Sequence, residues 1–293
     1  MSVKKITLIL CLLFALSPIC CADKTDIILY SYNRPMQLYA LLESLEHYVT
    51  GIGQTYVIYR ADGNDYQEGY QQVMARFGNA LFMPQDNPPH DFKKLTLEAF
   101  CKTNNDYVLF GVDDDVVKDF IDLQECVELL ENYSAYGFYL RLGKNLSYCY
   151  SRLESQKLPN FIFEEDGLCA WIFAQEECDW NYPNNLDMTV YRKKDLVGLL
   201  SHLDYNNPNV LEYRLAFAAD MQQVGLCYQT TKIVNFPINI VQTFTHNNCL
   251  NSHSVQELLA LFMDGKKIDI HALYQLRNSA AHVHDHAITF RDR

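Results

Sequence analysis

Three successive carboxylates, Asp113, Asp114 and Asp115, are the side chains of this sequence whose type and spacing point most directly to chemistry. Three neighbouring anions repel one another unless a positive group lies among them, and hard divalent cations prefer carboxylate oxygens. Because alternate side chains on an extended backbone point the same way, we expect Asp113 and Asp115 to act together and Asp114 to point elsewhere. A solvated acidic turn is the alternative interpretation of the triplet by itself.

The residues before the triplet predict a buried strand. Tyr107–Val112 is a continuous apolar run, which is typical of a strand covered on both faces of a sheet. Further strands are predicted at 26–31, 55–60 and 80–83, and helices at 35–48, from the turn at 61–65 to about 77, and at 91–101. This alternation of strands and helices predicts an α/β domain with a mostly parallel sheet flanked by helices.

Polar turns follow three of the predicted strands. They are Tyr32-Asn33-Arg34, Asp62 to Asp65, and the aspartate triplet. In open α/β sheets, ligands bind outside the carboxyl ends of the strands. Turn chemistry alone also favours Asn, Gly and Asp at such positions, but their recurrence at one sheet edge favours a shared nucleotide pocket.

Composition and charge narrow the classes of function. The 293-residue chain has 49% hydrophobic and 20% charged residues, as expected for a globular protein. Its 24 Lys and Arg against 36 Asp and Glu give a net charge of −12, which argues against a general nucleic-acid-binding protein. The sequence contains no dinucleotide-binding glycine fingerprint, no P-loop, no serine nucleophile elbow and no HExxH zinc motif.

The N-terminal residues 1–22 are typical of a signal peptide, with Lys4 and Lys5 before the apolar run 6–16 and small residues up to Ala22. We therefore expect export, into a periplasm, a secretory lumen or the medium. An uncleaved signal anchor, which would associate the chain with a membrane, is the alternative. The seven cysteines after this segment form no CxxC pair and would allow up to three disulfides in an exported chain, with a pairing that the sequence does not specify.

The arrangement of these motifs resembles the GT-A-fold glycosyltransferases of the family 2 type. The first predicted strand with Tyr32-Asn33-Arg34-Pro35 is similar to their first strand and loop. Asp62-Gly63-Asn64-Asp65 resembles the Asp-Gly-Ser-x-Asp turn after their second strand, with Asn64 where Ser is usual. The stretch 108–115 resembles their strand running into a DxD motif. The resemblance covers about residues 26–120 and is looser beyond.

The resemblance implies a nucleotide-sugar-binding half at 23–120 and an acceptor-side half with a C-terminal tail at 121–293 of the same domain. In that family, the first loop and the aspartate after the second strand hold the nucleotide base. The first aspartate of the DxD motif faces the ribose or the metal, and the last binds the metal. The implied substrate-binding residues are Tyr32, Asn33, Arg34, Asp62, Asp113 and, near the phosphates, Lys93.

The implied cofactor is a divalent cation, Mn²⁺ or Mg²⁺, held by Asp113 and Asp115. A C-terminal histidine often completes such sites, and His282 is our choice from the alternating histidines of the tail, which also include His284 and His286. Inverting members need a carboxylate base on the acceptor side. Glu212, near the start of a helix predicted from Pro208, is the first candidate for this base, and Asp187 is the second.

The sequence therefore predicts a metal-dependent glycosyltransferase of the hexosyltransferase type. Its partners would be a nucleoside-diphosphate sugar donor and a glycan, lipid or protein acceptor, with no nucleic acid involved. One alternative is an exported carbohydrate-binding or effector protein with a degenerate GT-A site. Another is a sugar nucleotidyltransferase, although the Gly-rich, basic first loop of those enzymes is missing.

Overall fold

The computed structural model describes residues 24–242, 248–250 and 252–293. The predicted signal peptide, residues 1–22, lies outside these described residues. Among the helices of the described part, none combines the length and the apolar character that crossing a bilayer requires.

A nine-stranded sheet forms the centre of the structure and confirms the predicted α/β fold. Its strands are β1 Thr25–Tyr32, β2 Ile52–Arg60, β3 Leu81–Pro84, β4 Tyr107–Val112, β5 Gly137–Tyr139, β6 Phe163–Glu165, β7 Leu168–Ile172, β8 Thr189–Arg192 and β9 Val224–Tyr228. Their order across the sheet is β6-β7-β9-β5-β8-β4-β1-β2-β3.

The pairing directions decide which loops meet. Strand β1 is parallel to β2 and β4, and β2 is parallel to β3. Strand β8 is antiparallel to both β4 and β5, and β9 is parallel to β5. The ends of β1, β2, β4, β5 and β9 and the start of β8 therefore lie at one edge of the sheet, which we call the carboxyl edge.

Seven α-helices are described, and most occur where the sequence predicts them. They are α1 Pro35–Tyr48, α2 Asn64–Arg76, α3 Phe92–Cys101, α4 Leu123–Asn132, α5 Lys193–His202, α6 Pro208–Phe217 and α7 Val255–Met263, with 3-10 turns at Phe173–Gln175, Cys178–Asn181 and Ile270–Leu273. Pro35 opens α1, and Ser254 with Glu257 forms a capping box at the start of α7.

Apolar side chains cover both faces of the sheet. In β1, Ile27 and Leu29 belong to the core on one face, with α1, α4 and α7, whereas Ile28 and Tyr30 belong to the core on the other face, with α3, α5 and α6. This division follows the two-residue period of a strand. It leaves the carboxyl edge as the place where polar loops lie on rigid supports.

Four two-stranded ladders complete the fold. They pair Val49–Thr50 with Ile121–Asp122, Asp115–Val117 with Ile233–Asn235, Tyr148–Cys149 with Glu154–Ser155, and Lys266–Ile268 with Phe290–Asp292. The second ladder brings a segment from the C-terminal half against the aspartate triplet. The seven cysteines of the described part are all free thiols, so the disulfides considered from the sequence are not formed there.

Candidate active site

Arg34 is a buried cation beside the aspartate triplet. It is the N-cap residue of α1, two residues after the end of β1, and 7% of its surface is exposed. Its Nη1 donates to Asp113 Oδ1 at 2.9 Å and to Asp114 Oδ2 at 3.2 Å, and its Nε donates to Asn239 Oδ1 at 3.0 Å. Burial lowers the pKa of Arg34, but the two aspartates more than offset this and raise it above its ordinary value.

Asp113 accepts three hydrogen bonds from the last two residues of β1 and from the loop that follows it. Besides Arg34, its donors are the Ser31 hydroxyl at 2.9 Å and the Tyr32 backbone N–H at 3.1 Å. The Tyr70 hydroxyl, 2.7 Å from the Ser31 hydroxyl, supports the same network. Burial raises the pKa of Asp113 to about 6 against the lowering effect of Arg34. The first aspartate therefore ties the end of β4 to the first loop.

Asn235 connects the other two aspartates. It lies opposite Asp115 in the ladder with Ile233–Asn235, and its Nδ2 donates at 3.1 Å to both Asp114 Oδ1 and Asp115 Oδ1. The expected separation of Asp114 from its neighbours is therefore wrong. Residues 113–114 form a turn and not an extended strand, so the two-residue alternation does not apply there.

Asp115 is fully buried and accepts the Val112 backbone N–H at 3.1 Å. Burial raises its pKa well above the ordinary value, and the negative charges of Asp187 and Asp114 raise it further. Because the charge of Asp187 acts on Asp115, Asp187, the second candidate for the catalytic base, lies near the aspartate triplet. The reason is topological, because β8 is antiparallel and the residues before it lie at the carboxyl edge.

Glu212 lies on α6 and faces the same group. Its Oε1 accepts the Leu186 backbone N–H at 3.0 Å, which links α6 to the segment before β8. Burial among protein atoms raises the pKa of Glu212 to about 8, and the charge of Asp187 raises it too, while Arg141 lowers it. The structure thus brings together both candidate bases, Glu212 and Asp187.

Arg141 is a residue of this site that the sequence analysis missed. It is 3% exposed, and its Nη1 lies 3.5 Å from Asp179 Oδ1 and 3.8 Å from Asp187 Oδ2. Burial lowers its pKa, but Asp179, Asp187 and Glu212 raise it above the ordinary value. The signal available in the sequence was a charged residue between Leu140 and Leu142, where an apolar run is otherwise continuous.

Tyr32, Asn33 and Asp62 come together at the ends of β1 and β2, as predicted for a base-binding surface. The Tyr32 hydroxyl donates to Asp62 Oδ2 at 2.5 Å, and Asn33 Oδ1 accepts the Asp62 backbone N–H at 2.7 Å. Arg60 donates to both Asp62 oxygens, at 2.8 and 2.7 Å, and its guanidinium lies 4.4 Å from the centre of the Tyr32 ring. The Asp62 side chain is 43% exposed and therefore accessible to a ligand.

The ammonium of Lys93, which is predicted to lie near the phosphates, is engaged by backbone carbonyl groups of α5 and the residue after it. Its Nζ donates to the backbone carbonyls of Ser201 at 3.0 Å and Leu203 at 2.7 Å, at the C-terminal end of α5. An ammonium at this position satisfies carbonyl groups that have no partner within the helix. The position of α3 beside α5, which the sequence did not reveal, decides this contact.

Replacing Lys93 by Met is expected to leave nucleotide affinity unchanged within about two-fold and to lower the free energy of unfolding by about 1 kcal/mol, the usual net contribution of such hydrogen bonds. Urea unfolding and calorimetric titration with UDP would measure the two quantities. Lys94→Met, at an exposed position of the same helix, is the matched control. A large loss of nucleotide affinity in Lys93→Met alone would restore the original assignment.

The predicted metal set of Asp113, Asp115 and His282 is not assembled as a group. Within the described residues, no three His, Cys, Asp or Glu side chains form a cluster able to hold a metal ion. Asp113 is turned toward Arg34, and the His282 ring stacks on Tyr150 with ring centres 6.2 Å apart. The negative charges of Asp114 and Asp187 act on Asp115, and carboxylate oxygens are the ligands that Mg²⁺ and Mn²⁺ prefer, so the charge of this position fits a hard cation.

The sequence of this chain is similar to that of a curated glycosyltransferase. No family model matches the chain. In an alignment 175 residues long that covers 54% of the chain, it is 28% identical to the bifunctional glycosyltransferase pgtA of Dictyostelium discoideum, and the match spans 22% of that protein. The predicted resemblance to a glycosyltransferase is confirmed by this similarity. The chain thus spans less than a quarter of the relative's length.

Solved structures of S. aureus TarS are also similar. The complex of TarS 1–349 with UDP has a TM-score of 0.48 and 13% identity, covering 72% of this chain and 59% of that one. The complex with UDP-GlcNAc has a TM-score of 0.45 and 14% identity, covering 81% of this chain and 66% of that one.

Proposed function

We propose that this chain is a metal-dependent glycosyltransferase that moves a sugar from a nucleoside-diphosphate sugar to an acceptor hydroxyl group. The observation that carries the proposal is the convergence of the aspartate triplet, Asp187 and Glu212 at the carboxyl edge, with Arg34 and Arg141 among them. Sheets of this kind bind ligands at that edge. The similarity to pgtA supports the same class of enzyme.

The donor nucleotide would lie over the ends of β1 and β2. Tyr32 offers an aromatic face, and the partly exposed Asp62 carboxylate offers an acceptor for base N–H groups. Asn33 fixes the distance between the two loops through its hydrogen bond to the Asp62 backbone. Arg34 and Asp113 join this surface to the end of β4, where the diphosphate would follow.

A divalent cation would be held by Asp115 together with the donor diphosphate. Magnesium sites of nucleotide enzymes usually use one or two carboxylates plus substrate phosphates, and such a site needs no three-residue protein cluster. The neighbouring charges of Asp114 and Asp187 repel Asp115, and a cation would relieve this repulsion. When bound, the cation would stabilise the negative charge that develops on the departing diphosphate.

Glu212 is the residue that we propose as the catalytic base. Its carboxylate would take the proton of the acceptor hydroxyl while the acceptor oxygen bonds to the anomeric carbon and the bond from that carbon to the diphosphate breaks. The Leu186 backbone N–H orients the side chain by donating to Oε1. A pKa of about 8 suits a general base near neutral pH. Asp187 is the second candidate for the same role.

The experiment that tests the proposal is calorimetric binding of UDP, GDP and CMP, each with and without Mn²⁺, followed by donor hydrolysis assays. We expect one nucleoside diphosphate to bind more tightly with Mn²⁺ and its sugar conjugate to be hydrolysed slowly without an acceptor. If none of the nucleotides binds under either condition, the transferase proposal fails. Nucleotide binding without turnover of any sugar donor would favour the degenerate, effector-type alternative.

Replacing Asp115 by Asn is expected to weaken Mn²⁺-dependent nucleotide binding by at least about tenfold, since even second-sphere changes at metal sites cost that much. The variant removes a charge that Asp114 and Asp187 repel, but it leaves one oxygen for the two donors, the Val112 N–H and Asn235 Nδ2. These effects oppose each other, so the unfolding temperature should stay close to that of the native chain. Titration calorimetry and thermal unfolding measure both effects. The exposed Asp86→Asn is the control, and unchanged Mn²⁺ dependence in Asp115→Asn would remove this residue from the metal site.

The class of acceptor and the cellular compartment are inferred from the sequence. We propose a glycan, lipid or protein acceptor and export through the N-terminal segment. Secretion of a reporter fused to residues 1–22, compared with the same reporter without them, would test the second point.

A further inference from the structure

A large cavity lies at the acceptor-side part of the carboxyl edge. Its volume is about 650 Å³. It is lined by Asn145, which follows β5, by Gly167 between β6 and β7, and by residues 228–230 at the end of β9. These strands lie beyond β8, on the side away from β4 and β1. The cavity is therefore separate from the base-binding surface formed by Tyr32 and Asp62.

Lys118 lines this cavity, and it is a lysine that is almost fully buried. Only 2% of its surface is exposed, and among the described residues no acceptor or acid forms a hydrogen bond or ion pair with its ammonium. The adjacent Asp119 is engaged by Lys232, at 2.8 Å. Burial lowers the pKa of Lys118 to about 8, although the charge of Asp119 raises it. Most Lys118 side chains are therefore protonated, and positively charged, at pH 7. The adjacent Asp119 is the acid that acts on this charge, and Lys232 already engages it, so an anion in the cavity would supply Lys118 with an opposite charge of its own.

The other charged groups of the cavity make it positive in a chain whose net charge is −12. Lys232 and the exposed Arg277 join Lys118 in the lining, against the single carboxylate of Asp119. An ammonium and a guanidinium are the side-chain groups that bind phosphate and carboxylate oxygens most strongly. The lining thus fits an anion and not a neutral apolar ligand.

We propose that this cavity is an acceptor subsite that binds an oxyanion, so the acceptor carries a phosphate or carboxylate group near the hydroxyl to be glycosylated. The assignment of this anion site to the acceptor rests on the proposed transferase function. The anion site itself does not depend on that function. The strand Asp115–Val117 joins the two places, because it begins at the aspartate triplet and ends directly before Lys118. An anion held by Lys118 would lie on the acceptor side of the same edge.

The test is calorimetric titration of the full chain with inorganic phosphate and, separately, with glucuronate, each in the absence and presence of UDP. Lys118→Met keeps the length of the side chain and removes the charge. We expect it to weaken binding of the preferred anion by at least about tenfold, as for loss of a charge-assisted hydrogen bond, and to leave UDP affinity within two-fold. Lys94→Met, on α3, should change neither affinity.

A second variant keeps the test decisive if Lys118→Met folds poorly. Arg277→Gln alters an exposed side chain of the same cavity and should weaken anion binding a few-fold. Equal anion affinity in the native chain and both variants would overturn the site. Parallel loss of UDP and phosphate binding in Lys118→Met would place the donor in the cavity and overturn the acceptor assignment. Phosphate binding that depends on Lys118 in a chain that binds no nucleotide would keep the anion site and refute the transferase function.

Discussion

Replacing Glu212 by Gln is expected to lower the rate of sugar transfer by about 10²–10⁴-fold, the range found when a general base is removed. Gln keeps the Oε1 acceptor for the Leu186 backbone N–H, so the position of α6 should not change. Nucleotide affinity should stay within about two-fold of the native value. Steady-state transfer assays and calorimetry would measure the two effects, with the exposed Glu68→Gln on α2 as the control.

The pH dependence of transfer follows from the same residue. A base must be deprotonated, so with a pKa of about 8 the rate should rise with pH and level off above 8. Because the charge of Asp187 contributes to this raised pKa, Asp187→Asn should move the midpoint of the profile to lower pH while retaining activity. Loss of activity in Asp187→Asn with normal activity in Glu212→Gln would instead make Asp187 the base.

Replacing Arg34 by Met is expected to lower the free energy of unfolding by about 3–5 kcal/mol, the usual cost of removing one partner of a buried ion pair. The substitution leaves Asp113 and Asp114 next to each other without their counter-ion and removes the Arg34 N–H groups that donate to Asn239. Urea unfolding measures the change. Nucleotide affinity should fall as well, because Arg34 holds the first loop against the end of β4.

The interpretation as an ion pair is tested by a double variant. Arg34→Met with Asp113→Asn should regain part of the lost stability, because one of the stranded carboxylates is then neutral. The exposed pair of Arg76 and Glu46 supplies the matched control, and Arg76→Met should cost no more than about 1 kcal/mol. An equally small cost in Arg34→Met would mean that the aspartates do not need this cation in the folded chain.

The local elements of this protein were predicted well from the sequence. The helix opening at Pro35 and the apolar strand Tyr107–Val112 have the predicted bounds, and the capping box of Ser254 and Glu257 starts α7. Each depends on signals within one short segment, such as a proline at the first helical position, a capping box or a continuous apolar run. The sequence also predicted that Tyr32, Asp62 and the triplet lie at one edge of the sheet, because the ends of parallel strands point the same way.

Only the tertiary structure decided which side chains meet within that edge. The sequence contains no signal for the antiparallel strand β8, which brings Asp187 to the triplet, or for the ladder that places Asn235 opposite Asp115. Lys93 and Arg141 depend in the same way on contacts between distant segments. The physical reason is that a long-range contact is set by how strands and helices pack together, whereas residue type and spacing report only on the segment in which they occur. The sequence alone determined that three aspartates follow a buried strand, and the fold determined that two of them pair with Arg34 while the third lies fully buried near like charges.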